Sequence, residues 1–333
     1  MSAGKGIHIL VNANAKRGGR RIAVQIARAL PGASVRLTRS IPEVESWLRT
    51  IALDKPRCIL SAGGDGTAVG LLNALDRVVP KGDPFPPVGA LPLGTGNAWA
   101  HALGAKKLDL CIRALARHDA PLPTKRYALF ECDGTLTFFG GCGWDAQVLD
   151  DYRAQLEASP SSRIAKSVGG YLTAMLFRTA PKTLLYGRPH VIIENLGDEV
   201  FTITGDRKLV RLEGVGRGSI LYDGMASVAG AATCPEFGYG FKVYPFAERL
   251  LGYMNVRIYD IAALTAIYDI PKLWKGTHPL RGMNDWFAKE VRMTFSRPMP
   301  LQIGGEAIGT RQTVDYKWSD RVLHALDWRL VGG

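Results

Sequence analysis

The run Gly63-Gly64-Asp65-Gly66-Thr67 follows the apolar segment Arg57-Cys58-Ile59-Leu60-Ser61-Ala62 and precedes a helix-like stretch from Ala68 to Val79. That order reads as a strand, a phosphate loop and a helix. Three glycines let the backbone turn sharply with its N–H groups towards an anion, and a helix N-terminus adds partial positive charge at the same place. The loop also carries a carboxylate, Asp65, which would repel a bare phosphate. A divalent cation between the two resolves the conflict, as in nucleotide phosphoryl transfer. Asp is equally a common helix cap, and Gly-rich strand-to-helix turns are frequent in α/β proteins, so a structural Asp65 stays open on this loop alone. A second loop, Leu91-Pro92-Leu93-Gly94-Thr95-Gly96-Asn97, again follows an apolar strand and precedes a helix, Ala98 to Leu103. Two such loops on neighbouring strands can form one phosphate cradle, and they suggest a kinase.

The elements that must position these loops alternate: strands at 7–13, 34–38, 57–62 and 87–92, and helices at 20–30, 42–53, 67–79 and 97–103. Such alternation indicates a parallel sheet covered by helices, with ligands beyond the carboxyl ends of the strands, where both loops and the segment Asn12 to Gly19 fall. The segment Ala120-Pro121-Leu122-Pro123-Thr124 marks a boundary, giving a first domain over 1–122 and a second over 123–333, with the extreme C-terminus a candidate to pack back on the first. The second domain reads as mainly β, a β-sandwich, with strand candidates at Tyr127–Cys132, Leu136–Gly140, Val191–Glu194, Glu199–Thr204, Arg217–Tyr222, Phe241–Tyr244, Val256–Tyr259, Val291–Phe295, Leu301–Ile303 and Val314–Trp318. One long helix, Ser162 to Arg178, carries an apolar stripe suited to a bilayer surface or, more commonly, to a core. Trp274 and Trp286, both near lysines, allow the same two readings.

Composition narrows the function classes. The chain has 333 residues, 47% hydrophobic and 22% charged, which describes an ordered globular protein with room for two cores. A first strand close to the initial Met leaves no space for a secretory signal, and no uncharged apolar run is long enough for a membrane span. The five cysteines are odd in number and scattered, and the six histidines lack metal-binding spacing, so no disulfide framework or zinc site is indicated. A cytoplasmic protein is expected. A net charge of +12 attracts polyanions, and without a basic run interleaved with aromatics an anionic membrane surface or nucleotide phosphates fit better than nucleic acid. No Gly-x-Ser-x-Gly elbow surrounds any serine, and hydrolase chemistry has no support; Ser161 and Ser162 read as helix caps.

Taken together, the motifs resemble the diacylglycerol kinase catalytic-domain family, which includes bacterial lipid kinases, sphingosine kinases and ceramide kinases. Val11 to Gly19 is similar to the family's opening strand and Asn-Pro-x-Ser-Gly turn, without the Pro and Ser; Thr38 matches its nucleotide-contacting Thr. The loops Gly63–Thr67 and Gly94–Asn97 correspond to its two phosphate-site signatures. Gly141-Cys142-Gly143-Trp144-Asp145-Ala146 resembles its Gly-x-Gly-Phe-Asp-Ala segment, and Leu301 to Glu306 its late Asp-Gly-Glu, here with Gly304 in place of Asp.

The resemblance implies an NAD kinase/phosphofructokinase-like α/β domain and a peripheral membrane kinase using ATP and Mg2+. It places the nucleotide against Asn12, Thr38, Gly63, Gly64, Asp65, Gly66, Thr67, Gly94, Thr95 and Asn97, with Asp65 on the metal, Asp145 at the acceptor and Glu306 as general base. Read from its own surroundings, Glu306 is a hairpin residue after good turn chemistry; Asp145 is an isolated Asp in a turn. A kinase of a soluble hydroxyl, of the NAD kinase or phosphofructokinase type, shares the Gly-Gly-Asp-Gly loop, and an inactive binding module keeps the fold without turnover. The lipid itself is not specified by generic apolar residues.

Overall fold

The computed structural model describes residues 4–13, 19–51, 55–118, 120–158, 168–179, 181, 182, 185, 187–238, 240–277 and 281–331. The turn Asn14–Gly18, the caps at Ser161 and Ser162, the first part of the 162–178 helix and His278 lie outside them. The chain forms two compact units: Met1–Leu129 with Asp320–Gly333, and Phe130–Ser319.

In chain order the first unit contains β1 (Ile7–Asn12), α1 (Gly19–Ala29), β2 (Ser34–Thr38), α2 (Ile41–Ile51) and β3 (Cys58–Gly63). It continues with α3 (Asp65–Val78), β4 (Val88–Pro92), α4 (Ala98–Ala102), α5 (Leu108–Arg117) and β5 (Thr124–Tyr127). The second unit holds β6 (Phe130–Cys132), β7 (Thr135–Thr137), β8 (Phe139–Gly143), α6 (Trp144–Ala158) and α7 (Val168–Ala174), which runs into a π-helical turn at Met175–Thr179. Then come β9 (His190–Asn195), β10 (Phe201–Ile203), β11 (Leu209–Arg211), β12 (Ile220–Met225), β13 (Val228–Ala232) and β14 (Met254–Tyr259). The unit closes with α8 (Ala263–Lys275), β15 (Met283–Ala288), β16 (Glu290–Ile303) and β17 (Glu306–Trp318). The chain then returns to the first unit as β18 (Leu323–Leu326) and α9 (Trp328–Val331).

The first sheet runs β2-β1-β3-β4-β18-β5, parallel except for the β18–β5 pair. β3 and β4 are buried at every residue, as continuous apolar runs in the middle of a parallel sheet must be, whereas the edge strand β2 alternates. The units divide after Leu129 rather than at the Pro-rich 120–124 segment, because β5 is hydrogen-bonded to the returning β18. Two side chains fasten that return. Trp328 Nε1 donates to the Ala90 carbonyl on β4 (3.0 Å), and the buried Arg321 caps the end of α3 through the Val79 (2.9 Å) and Pro80 (2.7 Å) carbonyls while pairing with Asp76 (2.6 Å).

In the second unit, twelve strands among the described residues share one antiparallel network that branches at β16. The first half of this strand pairs with β9 and its last residues with β8, while β17 follows it throughout. The expected layers are thus joined through a common strand, and the main core of the unit draws residues from both branches, among them Val191 and Ile193 of β9 and Val256 and Ile258 of β14, with smaller clusters around Tyr259 and Phe287. The strands expected at 291–295 and 301–303 are one strand with a register shift between Thr294 and Met299; Pro298 and Pro300, which lack N–H donors, lie around it. Tyr127–Cys132, read as one strand, belongs half to each sheet. Phe241–Tyr244 is a loop instead of a strand: its Val243 carbonyl accepts from Arg257, and the Tyr244 hydroxyl lies over Gly230. Trp286 and Phe287 are buried in β15, which removes them from any bilayer interface.

One polar row crosses this sheet. Gln302, Gly141, Gly230, Arg257 and Asp285 are successive cross-strand partners, and Arg257 and Asp285 form a bidentate pair (2.8 and 2.7 Å) with both side chains 2% exposed. Removing one member of such a pair leaves a bare buried charge. Asp285→Ala should cost about 3–5 kcal/mol in denaturant unfolding; the double change Arg257→Met with Asp285→Leu should cost clearly less.

Candidate functional site

At the carboxyl edge of the first sheet, one carboxylate ties the two glycine-rich loops together. Asp65 opens α3, yet it does not cap that helix. Its Oδ2 accepts from the Ala98 N–H (2.9 Å) and its Oδ1 from the Trp99 N–H (3.0 Å), so it caps α4 on the neighbouring strand's loop. The backbones of the loops meet directly. The Gly63 carbonyl accepts from both Leu93 N–H (3.1 Å) and Gly94 N–H (3.0 Å), and a Cβ on Gly94 would stand 2.3 Å from the Gly64 Cα. Asn97 folds the second loop on itself: it takes a left-handed conformation (φ 53°), accepts from Gly94 N–H (2.8 Å) and donates to the Gly94 carbonyl (2.9 Å). Asn tolerates that conformation better than other side chains, which accounts for its place there.

The remaining expected residues gather around this junction. Asn12 ends β1 and donates through Nδ2 to the Thr67 hydroxyl (3.0 Å), and that hydroxyl lies where a Cβ on Gly63 would be (2.2 Å). Thr38 is paired with Asn12 across β1–β2 and buried, its carbonyl accepting from Ala13 N–H (2.9 Å). Gly66 lies in the first turn of α3 and Thr95 in the second loop, both half-buried between buried flanks. The N-cap position of α3 is Gly64, and no side chain caps that helix. Both oxygens of Asp65 thus brace the start of α4. Among the described residues no group of three His, Cys, Asp or Glu is placed to hold a metal ion.

A second cluster lies within the second unit. Gly304 (φ 55°) and Gly305 (φ 76°) make a two-residue turn between the paired Ile303 and Glu306, the geometry of a type I′ hairpin, which Gly-Gly and Asp-Gly both satisfy. Glu306 leaves this turn exposed and is ion-paired with Arg153 of α6, which also reaches the Ala307 carbonyl (3.4 Å). Asp145 sits in the first turn of α6, reached directly from β8 through Gly143 (φ 117°). Gln302 joins the two: it donates to Asp145 Oδ2 (3.3 Å) and accepts from the Gly305 N–H (3.0 Å). Asp145 Oδ1 is shielded from solvent with no hydrogen-bond partner among the described residues, and desolvation pushes this carboxyl up to about 6. Sequence reading gave no role to Arg153, which lies in α6 beyond the motif ending at Ala146, or to Gln302, whose segment Leu301 to Glu306 was read for Glu306.

The first unit is an α/β domain with its two glycine-rich loops at the carboxyl edge of a mostly parallel sheet. Residues 7–121 match the family described as the diacylglycerol kinase catalytic domain, and they span both loops. Curated relatives include the eye-specific diacylglycerol kinase of Drosophila melanogaster, 54% identical over 46 residues (14% of this chain, 3% of that protein). Human diacylglycerol kinase iota is 53% identical over 45 residues (14% of this chain, 4% of that protein). The match thus spans only a few per cent of the length of these relatives. Among solved structures, a putative diacylglycerol kinase from Bacillus anthracis str. Sterne superposes with a TM-score of 0.65 at 15% identity, covering 98% of each chain. A second diacylglycerol kinase structure from the same organism gives 0.62 at 13%, covering 98% and 97%. At that identity the likeness establishes the fold.

Two outcomes follow. Gly94→Ala sets a methyl against backbone that has no rotamer to yield, so a loss of about 1–3 kcal/mol is expected in denaturant unfolding. Asp145 is harder to ionise folded (about 6) than unfolded (3.8), so its contribution to stability is full below pH 4 and falls away as pH rises to about 6. Asp145→Asn should flatten that decline and raise stability at pH 7 by about 3 kcal/mol, read from melting temperature against pH.

Proposed function

We propose that the protein is an ATP-dependent lipid kinase that transfers the γ-phosphate to a hydroxyl of an acceptor such as diacylglycerol, ceramide or a sphingoid base. The observation that carries this reading is the interlock of the two glycine-rich loops through Asp65, inside the segment that matches the diacylglycerol kinase catalytic domain. Gly63–Thr67 offers the phosphates a turn of backbone and the uncapped N-terminus of α3, whose dipole favours negative charge. Gly94, Thr95 and Asn97 supply the second wall, and Asn12 and Thr38 the nucleotide side of the edge.

Mg2+ keeps several waters and is commonly held by one or two carboxylates together with substrate phosphates, so the lack of a protein-only cluster is compatible with it. When bound, the ion neutralises phosphate charge. Asp65, the carboxylate of the first glycine-rich loop, is the residue that would face it; its first task is to fix both loops. Glu306 takes the acceptor hydroxyl's proton, with Arg153 orienting the carboxylate, and Asp145, held by Gln302, lines the acceptor's approach.

No helix among the described residues is long and apolar enough to cross a membrane, and we read the enzyme as a cytoplasmic protein that visits membranes from one side. The test is transfer of labelled γ-phosphate with Mg2+ to lipids in mixed micelles, with NAD and fructose 6-phosphate alongside. Label should enter the organic phase, and Asp65→Asn and Glu306→Gln should each lower turnover on the order of a hundredfold or more with the fold intact. Label confined to a water-soluble product would contradict the lipid reading.

A further inference from the structure

The helices of the first unit divide its surface by charge. α1 steps outwards from β1 to β2, while α2 and α3 step the other way along the sheet; right-handed crossovers therefore put α1 on one face and α2 and α3 on the other. The packing agrees, since α2 lies on α3, and α5 lies against both α1 and α9. On the α1–α5–α9 side, α1 carries three exposed arginines, Arg20, Arg21 and Arg28, and no acidic residue. α5 adds Arg113 and Arg117, and α9 adds Arg329, against Asp109 and Asp327 as the acidic residues beside them. On the opposite side, charges are balanced: Glu45 pairs with Arg77, and Asp76 with Lys81 and Arg321.

Two features of the basic side are not explained by folding. Arg20 and Arg21 stand in the first turn of α1, where the helix dipole disfavours cations. Each of the three helices also exposes an aliphatic side chain near its cations: Val24 (46%) between Arg21 and Arg28, Leu110 (41%) one turn before Arg113, and Leu330 (64%) next to Arg329. Guanidinium groups interleaved with exposed aliphatics fit the headgroup region of a bilayer, where charge meets anionic lipid and the apolar groups reach the acyl boundary. Nucleic acid fits less well, because none of the three helices exposes an aromatic side chain for base stacking.

We propose that the α1–α5–α9 face is a docking surface for an anionic phospholipid bilayer. The proposal deepens the lipid-kinase reading, on which it rests, by naming the face that meets the membrane.

Cosedimentation of the full chain with phosphatidylcholine vesicles, with and without phosphatidylglycerol, tests it without any turnover. Wild type should bind the anionic vesicles and not the neutral ones, and less as salt rises. The triple change Arg28→Ala, Arg113→Ala, Arg117→Ala should weaken binding roughly fivefold per arginine, on the order of a hundredfold in all. Leu110→Asp with Leu330→Asp should weaken it independently. Arg49→Ala with Arg77→Ala, the same kind of charge loss on the opposite side, should leave it within about twofold. All these side chains are exposed or half-exposed, and an unchanged melting temperature controls for folding. Arg20 and Arg21, next to the phosphate loops, stay as they are. Unchanged binding by the triple variant, equal weakening by the Arg49/Arg77 variant, or displacement from vesicles by an RNA oligonucleotide at physiological salt would overturn the proposal. Turnover on a lipid in detergent micelles separates the two readings. Wild-type turnover in the triple variant supports docking as a separate function, and a fall equal to the loss in vesicle binding opposes it. Binding as expected with no lipid phosphorylated by wild type would refute the kinase reading and leave the docking face standing.

Discussion

The first unit depends on a single carboxylate spanning two strand ends. Asp65 stands at the start of α3 and satisfies the N–H groups at the start of α4, so the loops after β3 and β4 cannot move apart without exposing two buried-edge donors. The contact brings Gly64 and Gly94 so close that the second loop has no room for a side chain at Gly94, and the Gly63 carbonyl holds that loop with two further N–H groups. Glycine is needed here for approach rather than for an unusual dihedral. The consequence is a pair of strand-to-helix turns fixed as one object, which is what an anion with several oxygens needs from a protein: donors held in place before it arrives.

The second unit solves a different problem, placing polar groups across a buried sheet. Its row from Gln302 to Asp285 pairs both of its charges, Arg257 with Asp285, while beside the row Asp145 has an Oδ1 with no hydrogen-bond partner among the described residues. A buried carboxyl left partly unsatisfied costs stability, and such costs gather at functional sites. Gln302 is suited to its place because its amide donates to Asp145 through Nε2 and accepts from the Gly305 N–H through Oε1 at once.

Much of the first unit was legible in the sequence because its signals are local. Buried parallel strands read as short apolar runs, and the two loops announced themselves through glycine. The part that was not legible is the partner of Asp65: no local pattern says that a residue at the start of one helix caps another more than thirty positions away. In the second unit, β13 (Val-Ala-Gly-Ala-Ala) escaped notice because small residues have little strand preference, and its role is to let backbones approach. The helix α6 was hidden behind a glycine-rich strand, and with it Arg153, the partner of Glu306. The turn reading of Glu306 was legible from Gly304-Gly305, since it is the first residue out of a tight hairpin.

If the two loops act as one phosphate cradle, amide hydrogen exchange with and without a non-hydrolysable ATP analogue and Mg2+ will show it. Nucleotide should slow exchange at Gly63–Thr67 and Gly94–Trp99 together, at the same ligand concentration. Protection of one loop alone, or of neither, would contradict it.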